Sequence, residues 1–335
     1  MITRTILRDI SGFAGGPAVS PDGSVFIAGT DGLLHAVTGT GDPIWETQLP
    51  ATAAGTPVIS GETLIVLDRE GLNAFTLAGE PVWRFEHEAG TAIAGPTLGP
   101  DGSLYYTLQI GSVGAVQAVS PAGGALWVSE VSTFSYYRPP VVTSNGQLVL
   151  FKNEAFSTID GSPVDLNLEF EPQELIAGAD RQTYLLYEET FVRWSLVGGR
   201  AVLAEERVVS SFGNPVYGGA LPDGTVWLVY RSFVAWYTPD GLPIRISGSS
   251  EAWFELYAGP TPDGVLFACG RNRSDFRQNA MSNCVAFSNL YDAELWNVIL
   301  DEDLVEFAGV AYLGNVVYAA NEEGNLYRIE FEEEP

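Results

Sequence analysis

The chain is expected to be all-β: a single β-propeller of eight four-stranded antiparallel blades, closed into a ring by its N-terminal strand. Three observations lead there. Turn triplets recur along the whole length, the runs between them are short and rich in β-branched and aromatic residues, and the residues opening successive inner strands return about every 40 positions.

The clearest unit is Ala94 to Val131. Gly95-Pro96 opens an inner strand and Pro100-Asp101-Gly102 turns the chain. Leu104 to Leu108 and Val116 to Val119 are β-rich runs, Pro121-Ala122-Gly123 turns again, and Leu126-Trp127-Val128 begins a fourth strand. Proline presets φ and glycine accepts the positive φ that follows, so each triplet has a mechanical reason to reverse the chain. Inner strands open at Pro17, Pro57, Pro96, Pro140, Gly178, Gly219, Pro260 and Gly309, in steps of 38 to 49 residues. Four strands per step is the mark of a propeller. A helical repeat of similar length is poorly supported, because the runs alternate and are broken by turns.

In order, the blades are expected at 15–53, 54–93, 94–136, 137–172, 173–212, 213–256, 257–306 and 307–335, all within one domain over 1–335. The first two read cleanly. The fourth and fifth are degenerate, and the seventh is split by an insertion from Arg271 to Asn283. The eighth has room for three strands, Gly309–Tyr312, Asn315–Ala320 and Asn325–Phe331. The spare N-terminal segment, residues 2–8, is therefore expected to supply its outer strand and close the ring, leaving only protected edges.

Composition narrows the function. Hydrophobic residues at 46%, aromatics at 12% and 37 glycines suit a large β core with many turns. No run of eighteen apolar residues exists, so membrane insertion is not expected. The opening MITRTILRDISG has no apolar h-region: either the protein stays in the cytoplasm, or a leader was removed and Met1 added. The 42 acidic against 16 basic residues give a net charge of −26, which repels phosphate backbones, so nucleic acid is not an expected partner. The same charge favours basic protein partners over acidic ones.

A phrase recurs in four units: HAVTGTGDPIW (35–45), NAFTLAGEPVW (73–83), QAVSPAGGALW (117–127) and VAFSNLYDAELW (285–296). An alanine in the third strand, a turn, and a tryptophan four residues after the turn glycine resemble the repeat of pyrroloquinoline-quinone-like propellers. The usual acidic residue after the alanine is replaced by Val37, Phe75, Val119 and Phe287. In that family the tryptophan docks between neighbouring blades. One branch consists of quinone- and calcium-dependent dehydrogenases. The other is non-enzymatic and includes the lipoprotein subunit of the outer-membrane assembly machinery. This chain resembles the second: it is shorter than the dehydrogenases and lacks their adjacent cysteine pair. The resemblance therefore implies no cofactor, a protein partner and an extracytoplasmic location, periplasmic or secreted.

Candidate chemistry is sparse. Trp45, Trp83, Trp127 and Trp296 fall in the repeat slot, where packing explains them, whereas Trp253 is expected on the connection between blades six and seven. His35 reads as a wall residue of a third strand. His87 lies in FEHEAG between blades two and three, with no second His or Cys nearby to make a metal site. No calcium loop, G-x-S-x-G, Walker loop or dinucleotide fingerprint occurs. Cys269 ends a second strand and Cys284 begins a third. They could face each other across a hairpin, and a disulfide there would favour an oxidising compartment; two unrelated buried thiols are the alternative.

The insertion they flank is the sharpest candidate for a docking site. Arg271, Arg273 and Arg277 form a basic island on an acidic protein, with Phe276 beside them. Loops between second and third strands share a propeller face with the connections between blades. Tyr136, Tyr137, Arg138, Phe212, Trp253 and Phe254 are therefore expected on that face. Aromatics and arginines together are what protein hot spots are made of. The expected function is a non-catalytic scaffold docking a protein or peptide there. The alternatives are an enzyme in the central funnel, either a hydrolase or lyase or a quinone-dependent oxidoreductase, and a carbohydrate-binding propeller.

Overall fold

The computed structural model describes residues 2–131 except 9, 139–165 except 144, 152 and 153, and 307–330. Between 166 and 306 it describes the strands named below, with Thr225, Tyr230, Thr238 and Leu242. Among the described residues the fold is all strand, in eight four-stranded antiparallel sheets.

The N-terminal strand is β1 (Ile2–Leu7). The first sheet holds β2 (Ala18–Val19), β3 (Val25–Ala28), β4 (Leu33–Val37) and β5 (Pro43–Gln48). The second holds β6 (Val58–Ser60), β7 (Thr63–Asp68), β8 (Gly71–Thr76) and β9 (Pro81–Glu86). In the third are β10 (Thr91–Leu98), β11 (Leu104–Ile110), β12 (Val113–Val119) and β13 (Ala125–Val131), and in the fourth β14 (Val141–Val142), β15 (Leu148–Phe151), β16 (Glu154–Ser157) and β17 (Pro163–Val164). The fifth is β18 (Glu174–Ala177), β19 (Thr183–Tyr187), β20 (Thr190–Val197) and β21 (Arg200–Val208); the sixth is β22 (Tyr217–Ala220), β23 (Val226–Val229), β24 (Phe233–Tyr237) and β25 (Pro243–Gly248). The seventh is β26 (Ala252–Ala258), β27 (Val265–Asn272), β28 (Met281–Ser288) and β29 (Glu294–Asp301). The last contains β30 (Phe307–Leu313), β31 (Val316–Asn321) and β32 (Leu326–Glu330), in the order β1-β32-β31-β30.

The expectation of a ring closed by the N-terminal strand is corrected by this topology. β1 pairs with β32 from Ile2↔Glu330 to Leu7↔Leu326 and completes one open sheet; no sheet is closed into a ring. The physical reason is that backbone pairing runs out at the fourth strand of every unit. What joins one unit to the next is side-chain packing. Phe26, Leu34 and Leu64 are buried between the first and second sheets, and Leu72, Leu104 and Tyr106 between the second and third. Phe13, Val25 and Ile27 of the first unit are buried with Tyr318, Ala320 and Leu326 of the last. Each large side chain so buried contributes about 1.5–3 kcal/mol relative to exposure.

The turns work as the sequence implies. In Pro21-Asp22-Gly23, Gly23 N–H donates to Ser20 O at 2.9 Å, and the Asp22 carboxylate accepts from Ser24 N–H at 3.1 Å. The Ser20 hydroxyl, followed by the Ser24 amide, holds the Asp22 carboxyl below the usual carboxylate range. Asp101 repeats the device with Ser103 N–H at 3.0 Å. Asp and Asn favour these positions because their side chains bond the amide two residues on.

The repeat tryptophans dock on the neighbouring unit. Trp45 Nε1–H donates to Leu77 O at 2.9 Å, and Trp127 Nε1–H to Thr158 O at 3.0 Å. Each ring lies against a turn glycine: a Cβ on Gly79, whose φ is +89°, would stand 2.8 Å from the Trp45 ring, and one on Gly123 would stand 2.7 Å from Trp83. Glycine is required there both for its positive φ and for the room it leaves.

The seventh sheet departs from the sequence reading. Its middle strands do not stop at the cysteines: the ladder continues in register through Arg271↔Ser282 and Asn272↔Met281. Arg271 and Asn272 therefore belong to β27, and Met281 to Asn283 belong to β28. Because β27 is longer, β26 has more edge to pair with. Trp253 and Phe254 are drawn into it opposite Arg271 and Gly270, and do not lie on a connection between units.

Candidate docking site

The seventh sheet builds the candidate site from its root outward. Cys269 and Cys284 are direct cross-strand partners and form a disulfide. Their Cα atoms are 4.1 Å apart, as in a non-hydrogen-bonded antiparallel pair. Both are fully buried, in a cluster with Phe267 and with Val317, Ala319 and Ile329 of the last sheet. The cross-link thus lies where the hairpin packs on its neighbour.

Two positions further along β27 stands Arg271, flanked in register by Trp253 on β26 and Ser282 on β28. The structure brings together these two residues, singled out separately in the sequence, at backbone level. Arg273, Phe276 and Arg277 lie outside the described residues, as do Tyr136, Tyr137, Arg138 and Phe212.

A second polar constellation was not legible in the sequence. It forms between the second and third sheets, at the turn from β7 to β8. Asp68 is fully buried; its carboxylate accepts from Glu70 N–H at 2.8 Å, Gly71 N–H at 2.9 Å and Asn73 Nδ2–H at 2.8 Å. Arg84 lies at the rim, donating to Glu70 at 2.8 Å and standing 3.7 Å from Asp68. Deeper in, His87 Nε2 is 3.3 Å from Gly90 O, and Tyr106 Oη is 3.4 Å from His87 Nδ1. A carbonyl only accepts, so Nε2 carries the ring proton and Nδ1 receives the Tyr106 hydroxyl.

Burial, reinforced by the Asp68 charge, raises the Tyr106 hydroxyl far above the phenol range and keeps it a donor. Desolvation lowers His87, outweighing its Gly90 bond and the charges of Asp68, Glu86 and Glu70. These groups are engaged with one another and brace the connection from β9 to β10. The one sequence signal was the turn Asp68-Arg69-Glu70-Gly71; its partners come from a different repeat. His35 stands on β4, 3.7 Å from Glu46, and burial lowers its pKa against the pull of Glu46 and Asp31. Among the described residues no group of three or more His, Cys, Asp or Glu could hold a metal ion.

Sheets of four strands repeated along the chain, with tryptophans docked from one unit to the next, define a propeller-like repeat protein. Residues 4–159, a little under half of the chain, match the family model described as outer membrane protein assembly factor BamB, and this part of the chain is similar to that family. No curated protein is significantly similar to it in sequence.

Among solved structures, BamB from Moraxella catarrhalis is 14% identical with a TM-score of 0.65, over 100% of this chain and 98% of that one. The C-terminal WD40 domain of Sif2 is 11% identical with a TM-score of 0.71, over 98% and 99%. A catalytically inactive virginiamycin B lyase from Staphylococcus aureus with quinupristin is 14% identical with a TM-score of 0.57, over 99% and 100%. At these identities the likeness is one of fold, and it spans an assembly factor and a lyase alike.

Proposed function

We propose that the protein is a non-catalytic scaffold that docks a protein or peptide partner on the seventh sheet, beyond the disulfide that joins β27 and β28. The observation that carries this reading is the row Trp253, Arg271, Ser282 just beyond a buried disulfide. Tryptophan and arginine are the residues most enriched among interface hot spots, and a cross-linked root holds them on a rigid element at little entropic cost. The partial match to an assembly-factor family supports the same reading. Arg273, Phe276 and Arg277 would extend the surface, and Tyr136, Tyr137 and Arg138 would share it. The disulfide supports an oxidising, extracytoplasmic compartment. Among the described residues no helix is long and apolar enough to cross a membrane.

The test is a pull-down from the native host with wild type and with Arg271→Ala/Arg273→Ala/Arg277→Ala. A partner held by the wild type and lost by the variant is the expected result. A partner held equally by both places the interface elsewhere. Because the fold is shared with a lyase, wild type is also incubated with quinupristin; its consumption would overturn the non-catalytic reading.

A further inference from the structure

The outer strand of the third sheet, β13, differs from the outer strands of the first, second and sixth sheets. It ends the order β10-β11-β12-β13, so one side of its backbone has no strand partner among the described residues. Three other outer strands are protected against such pairing. β5 opens with Pro43 and carries Glu46, β9 opens with Pro81 and carries Arg84, and β25 opens with Pro243 and carries Arg245. Proline removes a donor from the edge, and a mid-strand charge makes burial under a new strand costly. β13 has Ala125 in place of the proline and Val128 in place of the charge.

The side chains make this edge adhesive. Val128 pairs with Gln117 and Glu130 with Ala115, so Leu126, Val128 and Glu130 form the row on the side of β12 that carries Ala115 and Val119. Those two pack against the second sheet with half-buried Trp83 and Phe85. Trp127, in the alternate row, faces the fourth sheet. Leu126 and Val128 are nonetheless 47% and 50% exposed. The result is an exposed apolar edge on β13, with Glu130 in the same row.

We propose that β13 is a docking edge for an extended, basic segment of a partner protein. Such a segment would add as a fifth strand, placing two apolar side chains, two residues apart, beside Leu126 and Val128, with a Lys or Arg to meet Glu130. Strand addition of this kind takes affinity from main-chain hydrogen bonds and specificity from alternate side chains. Charge decides the occupant. A second copy would bring another net −26 to the same edge, whereas a basic strand is drawn to it. This surface is distinct from the seventh-sheet hairpin and does not depend on that reading.

The probe is a synthetic peptide of alternating Val and Thr with Lys at each end, as long as β13, titrated into the full chain by fluorescence anisotropy. Wild type is expected to bind saturably. Backbone N-methylation of alternate residues should weaken binding by about tenfold or more, since it removes the ladder and keeps the side chains. Val128→Glu should also weaken it, although the added negative charge alone would tighten a basic peptide. Unchanged thermal unfolding of Val128→Glu confirms that the fold is retained. No saturable binding to wild type would overturn the proposal, as would binding indifferent to N-methylation or tightened by Val128→Glu. A wild-type dimer that Val128→Glu converts to monomer would assign the edge to a second copy and also overturn it.

Discussion

The disulfide offers the most direct test of how the seventh sheet is held. Its cysteines are separated by 15 residues and lie opposite each other in register. A cross-link closing a loop of that length removes roughly 10 cal/mol/K of entropy from the unfolded chain, about 3 kcal/mol at 25 °C. Cys269→Ala breaks it and leaves one buried thiol. Cys269→Ala/Cys284→Ala removes that thiol as well, and each lost sulfur adds about 0.5–1.5 kcal/mol from packing against Phe267, Val317 and Ile329.

The single variant is therefore expected to lose about 4 kcal/mol and the double about 5 kcal/mol. Urea unfolding followed by tryptophan fluorescence measures both. Hydrogen exchange should report faster opening of β27, β28 and their neighbours β30 and β31 before it does so in the first three sheets, because in repeat proteins stability is transmitted between adjacent units. A single variant whose midpoint coincides with that of wild type would refute the entropic reasoning. A loss that appears only in the double variant would assign the effect to packing.

Other consequences are testable. Gly79→Ala places a Cβ against the Trp45 ring at positive φ and should cost about 1–3 kcal/mol in urea unfolding; Gly61→Ala, also at positive φ but with open space around it, isolates the backbone share. His87 has its pKa lowered by burial below the ordinary 6.5, so the unfolded chain binds its proton more readily. The stability it contributes is complete above pH 6.5 and lost as pH falls from there towards the folded value. His87→Gln should flatten the stability profile across that window. A profile that keeps its slope in His87→Gln would return the acid sensitivity to other groups.

How much of this was visible beforehand depends on how local the cause is. The turn triplets, the repeat tryptophans and the cysteine pairing were readable because each depends on residues within one repeat. Proline and glycine set φ where they stand. A tryptophan four residues past a turn glycine returns to the same slot whenever the spacing returns. Cys269 and Cys284 bracket a single hairpin.

Readings that required knowing what lay across a sheet or between sheets were another matter. Trp253 read as a connection because nothing in SSEAWFELY reveals that β27 runs on to Asn272 and gives β26 an edge to pair with. The closed ring was drawn from a spare N-terminal strand, whereas β1 completes one open sheet and the junctions between units are made by packed side chains. Asp68, His87 and Tyr106 come together from two repeats, and β13 is unguarded only by comparison with β5, β9 and β25. The sequence by itself determined the repeat and its turns and left the cross-link as one of two possibilities, since short-range backbone preferences act within a few residues. Tertiary structure decided strand length, register and the exposure of each edge, because those depend on partners across a sheet or in a neighbouring unit.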